Sequence, residues 1–428
     1  MHDYDVIIAG GGMVGASLAH AIARCGLRVA VIEPVAPDAT TQPSYDDRAI
    51  ALAYGTRRVL EGLGVWSVLA PHAEPIRSIH VSDRGHFGFT RLDARDEEVE
   101  ALGYVVTARD LGRVLLEPLG GQADLWCPAR VVDFAITADA VRVDVVPPGV
   151  TSGGSAAPAG AMSDDRRATA GGTGARPLTA LLLVAADGGR SAIREKLGLG
   201  QRHHRYDHHA VIANVTPSQP HRGVAYERFT DSGPLALLPM TGNRCGLVWT
   251  ARDADVAGIL ALDDQAFLAR LQERFGFRLG RFMEVGARSH YPLELRLTQT
   301  QVVHRVALIG NAAHTVHPIA GQGFNLGIRD VAALADVLID AYTTGRDIGS
   351  LGVLDTYEEA RASDQRTVAM ATDGLARLFI NPLAPLRVAR NLAMVAVDAL
   401  PPLKHLLARR AMGLRGRLPR LARGLGYE

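Results

Sequence analysis

Residues 317–330 read His317-Pro318-Ile319-Ala320-Gly321-Gln322-Gly323-Phe324-Asn325-Leu326-Gly327-Ile328-Arg329-Asp330. Gly321 and Gly323 flank a glutamine shortly after a proline, and a helix-compatible run follows. That pattern builds a tight loop running into a helix N-terminus. Such a terminus presents unpaired backbone N–H groups and a partial positive charge. It suits a ligand that takes on negative charge during its chemistry. Pro318 would stiffen the turn in front of the loop. His314 and His317 are the nearest groups able to move a proton at neutral pH. A histidine in such a place serves either as an acid–base group or as a structural residue bonded to a backbone carbonyl.

A second stretch of this kind stands at the N-terminus. Asp5-Val6-Ile7-Ile8-Ala9 is an apolar run suited to a buried parallel strand. It leads straight into Gly10-x-Gly12-x-x-Gly15. Ala16 to Arg24 reads as a helix, and Leu27 to Ile32 as a second strand closed by Glu33. Strand, glycine turn, helix and strand ending in an acid form the dinucleotide fingerprint. The glycines let the backbone approach a pyrophosphate, and the Glu33 carboxylate can accept from an adenosine ribose. The fingerprint serves FAD and NAD alike. A third piece lies mid-chain, where the apolar run Ala180–Ala186 ends in Asp187-Gly188-Gly189-Arg190-Ser191-Ala192-Ile193-Arg194. In a helix after that turn, Arg190 and Arg194 would share a face. Taken alone, this reads as a strand end, a turn and a solvated helix face.

In this order the three pieces resemble the FAD-dependent aromatic hydroxylases, the single-component flavoprotein monooxygenases. Within that family the run His317–Asp330 resembles the signature of the ubiquinone-biosynthesis branch, H-P-x-x-G-Q-G-x-N-x-G-x-x-D, with every fixed position filled. Asp46-Asp47-Arg48-Ala49-Ile50-Ala51-Leu52 and Gly64-Val65-Trp66 are similar to it too. The family's late Gly-Asp pair is Gly310-Asn311 here. The amide keeps an acceptor oxygen and adds donors, and it is closer to the 2-polyprenyl-6-methoxyphenol hydroxylases than to their sister enzymes. The resemblance implies FAD as cofactor, held by Gly10, Gly12, Gly15, Glu33, Arg48, Arg109, Asp187, Gly188, Gly310, Asn311, Gly321, Gln322, Gly323, Phe324 and Asn325. It implies NAD(P)H as electron donor and a C4a-hydroperoxide of the flavin that hydroxylates an electron-rich phenol. His317 is then a candidate base and Pro318 a positioning residue. The substrate would be a polyprenyl phenol dissolved in the membrane. Three other readings fit the motifs: a hydroxylase for another ring position, a non-oxygenating enzyme on a prenyl lipid, and a flavin-bound structural subunit of a quinone-biosynthesis complex. No second strand–glycine–helix unit is present, so the nucleotide docks transiently or a separate reductase supplies electrons.

The expected fold is α/β: an FAD-binding Rossmann-like domain of the glutathione-reductase type, with an inserted antiparallel-sheet substrate domain and a helical C-terminus. The flavin motifs place the FAD domain at 1–72, 104–200 and 290–350. Within it, 147–177 is dense in Gly, Ala, Ser and Thr and reads as a disordered loop extending a hairpin. The substrate domain falls at 73–103 and 201–289, with strands at Ala210–Val215, Ala225–Phe229, Leu235–Leu238 and Gly246–Ala251 and a helix over Asp263–Phe275. Arg109 sits in a helix-start segment, Thr107-Ala108-Arg109-Asp110-Leu111. It reads as a flavin contact or a solvent-facing arginine; Arg48 reads as a flavin contact or a loop ion pair.

A chain of 428 residues with a net charge of +1 carries no global field favouring nucleic acid. Cys25, Cys127 and Cys245 are widely spaced and give neither a disulfide framework nor a metal site. With a core strand starting at Asp5 and no membrane-length apolar stretch, the expected location is cytoplasmic. The region 351–428 ends in a basic tail that mixes Leu386, Leu392, Met394, Val395, Leu403 and Leu406 with Arg387, Arg390, Lys404, Arg409, Arg410, Arg415, Arg417, Arg420 and Arg423. Such a segment can lie on the anionic inner face of a membrane, dock on a quinone-biosynthesis complex, or pack as a tail helix on the FAD domain with a solvated basic face. On this reading, truncation after Pro402 weakens liposome binding more than FAD binding. Oligomeric state is not encoded in any motif.

Overall fold

The computed structural model describes residues 2–36, 47–147, 174–380, 383–414, 416 and 418–427. Asp46 of the signature segment, 148–173 of the inserted stretch, and Arg415 and Arg417 of the tail lie outside them.

The N-terminal fingerprint nucleates a parallel sheet in the order Val306–Leu308, Arg176–Ala185, Tyr4–Ala9, Val29–Ile32, Asp124–Trp126. Its central strands are buried on both faces, which is why they read as unbroken apolar runs. One face is covered by the helices Met13–Ala23 and Gln322–Thr343. The other is covered by the hairpin strands Arg130–Ile136 and Val141–Val146, whose Phe134, Val141, Val143 and Val145 pack on Ile7, Leu183 and Val306. The strand after the insertion starts at Arg176, ahead of the apolar run at Ala180, because the hairpin ladder continues outward through Arg142–Thr179 to Val145–Arg176.

A nine-stranded sheet forms the second layer among the described residues. Its core is the antiparallel run Ser289–Thr298, Gln201–Pro217, Arg244–Arg252, Gly233–Met240 and Val224–Thr230, followed by Ser78–Asp83 and Phe89–Asp93. Strand alternation assigns its two faces. Val211, Leu235, Leu247 and Trp249 point to the helix Asp264–Phe275, which is capped by Asp263 accepting from the Ala266 N–H at 2.7 Å. Ile212, Ala236 and Val248 point the other way. The sheet runs past the boundary read at 289: Ser289–Thr298 pairs with Gln201–Pro217 along its length, and His314–Thr315 adds to its edge. A small sheet of Ala49–Ala53, Gly103–Thr107 and Glu74–Ile76 joins the two layers.

The C-terminal region is helical, at Leu351–Ile380, Ala384–Ala399 and Pro401–Ala411, but its last part is no free tail. Ala408 and Met412 pack on Leu92 and Leu102. Leu421 and Ala422 are buried in the flavin-domain core, and the Arg420 N–H donates to Asp336 at 2.9 Å. Arg390, read as a surface cation, is buried and paired with Asp83 at 3.0 Å. Truncation after Pro402 would therefore unpack the core, which disqualifies it as a test of surface binding. No helix among the described residues is long and apolar enough to cross a membrane.

Candidate active site

The C-terminal ends of the parallel strands converge where the strand order reverses, the place such sheets bind ligands. Gly10 has φ +103°, and a Cβ there would lie 2.4 Å from the Ala186 oxygen; one on Gly15 would lie 2.0 Å from the Gly10 oxygen. Only glycine permits this closeness. Gly12, at the helix N-cap, has open space before it. Glu33 is buried, with Oε2 accepting from the Gly11 N–H at 2.7 Å and Oε1 from the Val35 N–H at 2.9 Å. The acid thus holds the glycine turn as well as facing the pocket.

The signature loop sits opposite. Pro318 precedes a single tight turn, and Gly321 takes φ +61° to start the helix Gln322–Thr343. A Cβ on Gly321 would lie 2.8 Å from the Ala51 Cβ, whereas Gly323 has nothing within 4 Å. The first-turn N–H groups of this helix, those of Gly323 and Phe324 included, have no acceptor within it.

Asn325, expected to touch the cofactor, spends its whole side chain on the protein. Its Oδ1 accepts from the Ala53 N–H at 2.8 Å and the Thr56 hydroxyl at 2.7 Å. Its Nδ2 donates to the Ala51 and Gly321 carbonyls at 2.8 and 2.7 Å. It pins the loop to the strand Ala49–Ala53 and so positions the helix N-terminus.

Asp330, the last fixed residue of the signature, is the hub that sequence reasoning left without a role. It is fully buried and accepts from His314 Nε2 at 2.5 Å, Arg361 Nε at 2.8 Å, Gln365 Nε2 at 2.9 Å and the Gly310 N–H at 3.1 Å. Burial alone would raise its carboxyl, but His314 and Arg361 outweigh this and hold it well below the usual carboxylate range. His314 is therefore structural. His317 is buried against the Tyr206 ring at 5.1 Å, and its Nδ1 accepts from the Ile319 N–H at 3.3 Å. Burial, with His208 adding to it, pushes His317 down to about 4. It is neutral at physiological pH and a poor proton acceptor.

Arg194 is buried and donates to the Ala312 and Gly189 carbonyls at 2.9 and 3.1 Å. It clamps the Asp187–Gly188 turn to the Gly310–Ala312 segment. Arg190 lies before the helix, which starts at Ala192 under a Ser191 cap, so the two arginines share no face. Arg109 does begin a helix, but its guanidinium is 59% exposed, bonds Asp47 at 3.0 Å and is absent from the cavity wall. Arg48 is on that wall, its guanidinium 5.9 Å from the centre of the Tyr291 ring.

These pieces enclose one continuous cavity of about 1200 Å³. Gly10, Gly12, Glu33, Arg48, Asp187, Gly188, Asn311 and the loop Gly321–Asn325 line one end; the sheet residues Ile212, Ala236, Val248 and Phe229, with Leu378 and Met394, line the other. Two buried polar atoms in the wall, Asp187 Oδ1 and Thr315 Oγ1, have no partner within the protein. Buried polar groups are normally satisfied, so both await a polar ligand. Close backbone approach, an acid after the second strand, an open helix N-terminus and two orphaned oxygens suit a dinucleotide with a ribityl chain. Among the described residues no group of side chains could hold a metal ion.

Residues 3–372 match the FAD binding domain family. The chain belongs to that family. Its cofactor is FAD, and the fold is that of the FAD-dependent aromatic hydroxylases. Ubiquinone hydroxylase UbiL of Rhodospirillum rubrum is 41% identical, over 98% of this chain and 93% of its own. The 3-demethoxyubiquinol 3-hydroxylase of Escherichia coli is 31% identical, over 96% and 98%. Among solved structures, p-nitrophenol 4-monooxygenase PnpA of Pseudomonas putida superposes with a TM-score of 0.76 at 19% identity, over 97% of this chain and 98% of that one. This last likeness concerns the fold.

Proposed function

We propose that this chain is an FAD-dependent, NAD(P)H-using monooxygenase that hydroxylates the ring of a polyprenylated phenol in ubiquinone biosynthesis. The observation that carries the reading is the single cavity joining the flavin motifs to an apolar chamber. The names of its relatives from Rhodospirillum rubrum and Escherichia coli support the substrate class.

FAD, when bound, supplies dioxygen activation and the electrons for it. The glycine turn at Gly10–Gly15 and Glu33 hold its adenosine and pyrophosphate end. Asp187, Thr315 and Asn311, which line the cavity, would bond its ribityl hydroxyls. The first-turn N–H groups of the helix Gln322–Thr343 would offer a positive end to a ligand that gains negative charge on reduction. The sheet face from Ile212 to Phe229 keeps water from the reacting atoms and sets the substrate ring in line.

The prenyl tail brings a membrane into the proposal. Leu386, Val388, Leu392, Leu403 and Leu406 are exposed on the helices Ala384–Ala399 and Pro401–Ala411, with Arg387, Lys404, Arg409 and Arg410 among them. The same two helices supply Met394, Val397 and Leu407 to the cavity wall. An apolar face set in basic residues suits the anionic cytoplasmic leaflet, and here it adjoins the chamber. Glutamine at Leu392, Leu403 and Leu406 should abolish flotation with phosphatidylglycerol vesicles and leave FAD content unchanged; flotation equal to the wild type would refute the surface.

The deciding experiment supplies NADPH and 2-prenyl-6-methoxyphenol to the FAD-loaded protein in detergent under labelled dioxygen. A product one labelled oxygen heavier is expected, and its position on the ring separates this substrate from that of the Escherichia coli relative. Flavin oxidation without oxygen insertion, even after chemical pre-reduction, would overturn the proposal.

A further inference from the structure

The sheet face above the flavin end is an array of side chains in register. One row crosses it as Ile212, Val248, Ala236, Glu227, Val81 and Thr90, each paired with the next across adjacent strands. All six line the cavity. Ala225 and Phe229, two residues either side of Glu227 on its strand, line it too. Glu227 is thus a carboxylate whose neighbours on that face, Ala236, Val81, Ala225 and Phe229, are all apolar. Strand alternation puts it on the chamber side, while Tyr226 on the same strand meets Phe275 at 5.4 Å on the helix side.

We propose that Glu227 accepts the proton of the substrate's phenol hydroxyl; this rests on the phenol reading above. The location fits. The sheet touches the flavin-side strand Ala49–Ala53 at Gly246, where a Cβ would lie 2.2 Å from the Ala49 Cβ. Val248 is two residues along from that contact, and Glu227 is two strands beyond Val248, about 10 Å at ordinary strand spacing. A ring resting on Val248 and Ala236 points its hydroxyl toward the Glu227 carboxylate and its tail toward Leu378 and Met394.

The electrostatics agree. Burial alone pushes the Glu227 carboxyl up to about 7, with no charged neighbour contributing. The charged groups on the elements packed around it are engaged elsewhere: Arg390 with Asp83, and Arg377 with Asp373. His80, Arg91 and Arg228 fall on alternate positions of their strands, on the sheet's other face. A carboxylate near 7 is a better match to a phenol, ordinarily near 10, than one near 4.5, and transfer is most effective when the two approach each other. His317 at about 4 is the poorer acceptor.

In the step, the phenol O–H bond breaks, its electron pair stays on the oxygen, and the proton moves to a Glu227 oxygen. The ring becomes more nucleophilic at the positions ortho and para to that oxygen. After hydroxylation the attacked carbon loses its hydrogen as a proton, which ends in the water formed from the second oxygen atom, and the C–H electron pair restores the aromatic ring. The phenolate then takes back the Glu227 proton, so the carboxylate is reset with no net consumption.

The test uses the full-length FAD-loaded protein with 2-prenyl-6-methoxyphenol, comparing wild type, Glu227→Gln and Glu227→Asp. Phenolate absorption of the bound substrate is followed against pH, alongside the pH profile of hydroxylation. In the wild type the Glu227 carboxylate beside the hydroxyl should hold ionisation of the bound phenol at or above its free value, and the rate should rise as Glu227 ionises through about 7. In Glu227→Gln the rise through about 7 should vanish and the phenol's ionisation should move down, while the neutral-pH rate should fall by about 10²–10⁴-fold, recovering as pH rises toward the phenol's own range. Glu227→Asp should restore part of the rate. A wild-type profile and phenolate titration in Glu227→Gln would overturn the inference, as would a lost rate with unchanged titration. Absence of product from the wild type would instead overturn the substrate reading, and the titration, which needs no turnover, still decides Glu227. Should Glu227→Gln fail to hold flavin, the wild-type titration and Glu227→Asp carry the decision.

Discussion

Replacing Asn325 by alanine isolates the tie between the signature loop and the strand beneath it. Four hydrogen bonds of 2.7–2.8 Å end on this amide. Its removal strips the Ala53 N–H and the Thr56 hydroxyl of the acceptor they share. Each buried donor left unmade costs about 1–3 kcal/mol. Asn325 borders the cavity, so water can reach part of the gap, and the lower half of the summed range applies, about 3 kcal/mol. Urea unfolding of the flavin-free protein should show that loss. FAD affinity should fall by at least about tenfold, because ordering the loop then consumes binding energy at about 1.4 kcal/mol per tenfold. Asn325→Asp keeps both acceptors but sets a carboxylate oxygen against the Ala51 and Gly321 carbonyls, and should be at least as damaging. If Asn325→Ala unfolds within about 0.5 kcal/mol of the wild type, the range of an ordinary surface change, and FAD affinity is unchanged, the pinning argument fails.

Arg361→Met should cost about 3–5 kcal/mol, since it leaves Asp330 buried and without its guanidinium partner. Adding Asp330→Leu should recover part of this in urea melts, and a double variant worse than the single would refute the pairing. Glu227 sets a pH slope of opposite kind. Its folded-state carboxyl titrates near 7 against 4.5 for the ordinary group, so the native state holds a proton the unfolded chain has released. Stability of the flavin-free protein should therefore fall as pH rises between those values, by up to about 3 kcal/mol at 1.36 kcal/mol per unit. Denaturant midpoints of Glu227→Gln across the same range should lack this slope.

The parts most legible in the sequence were those where local chemistry dictates structure. Gly10 and Gly15 announce backbone contacts that no other residue tolerates, Gly12 leaves open space before the helix, and the apolar strands around them leave one way to fold. The alternating runs near Ala210 and Ala225 marked the second sheet, although their pairing past residue 289 depends on partners far away in sequence. What the spacing could not show was direction. Arg109 and Arg194 look alike in the sequence, yet one bonds an exposed aspartate and the other is buried between two loops. Asn325 sits among residues that face the cofactor, but its amide turns to the strand behind. Glu227 carried a signal: an acid between Ala225 and Phe229 on one face of a strand. Its meaning appeared only when four further strands placed apolar side chains around it.

The burial of Leu421 and Ala422 against a core begun at Tyr4 has a consequence for how the protein is made. The nucleotide pocket draws on strands at residues 4, 29, 176 and 306, and the helix Tyr54–Gly62 is covered by the last described turn, Leu421–Arg423. On a ribosome the first two strands emerge long before their neighbours. The flavin layer stays open-edged while about 400 residues are made, and its cover at Leu421 and Ala422 arrives only after all four strands. A truncated message would thus yield not a shorter hydroxylase but an unfinished flavin layer exposing apolar surface to the cell's proteases.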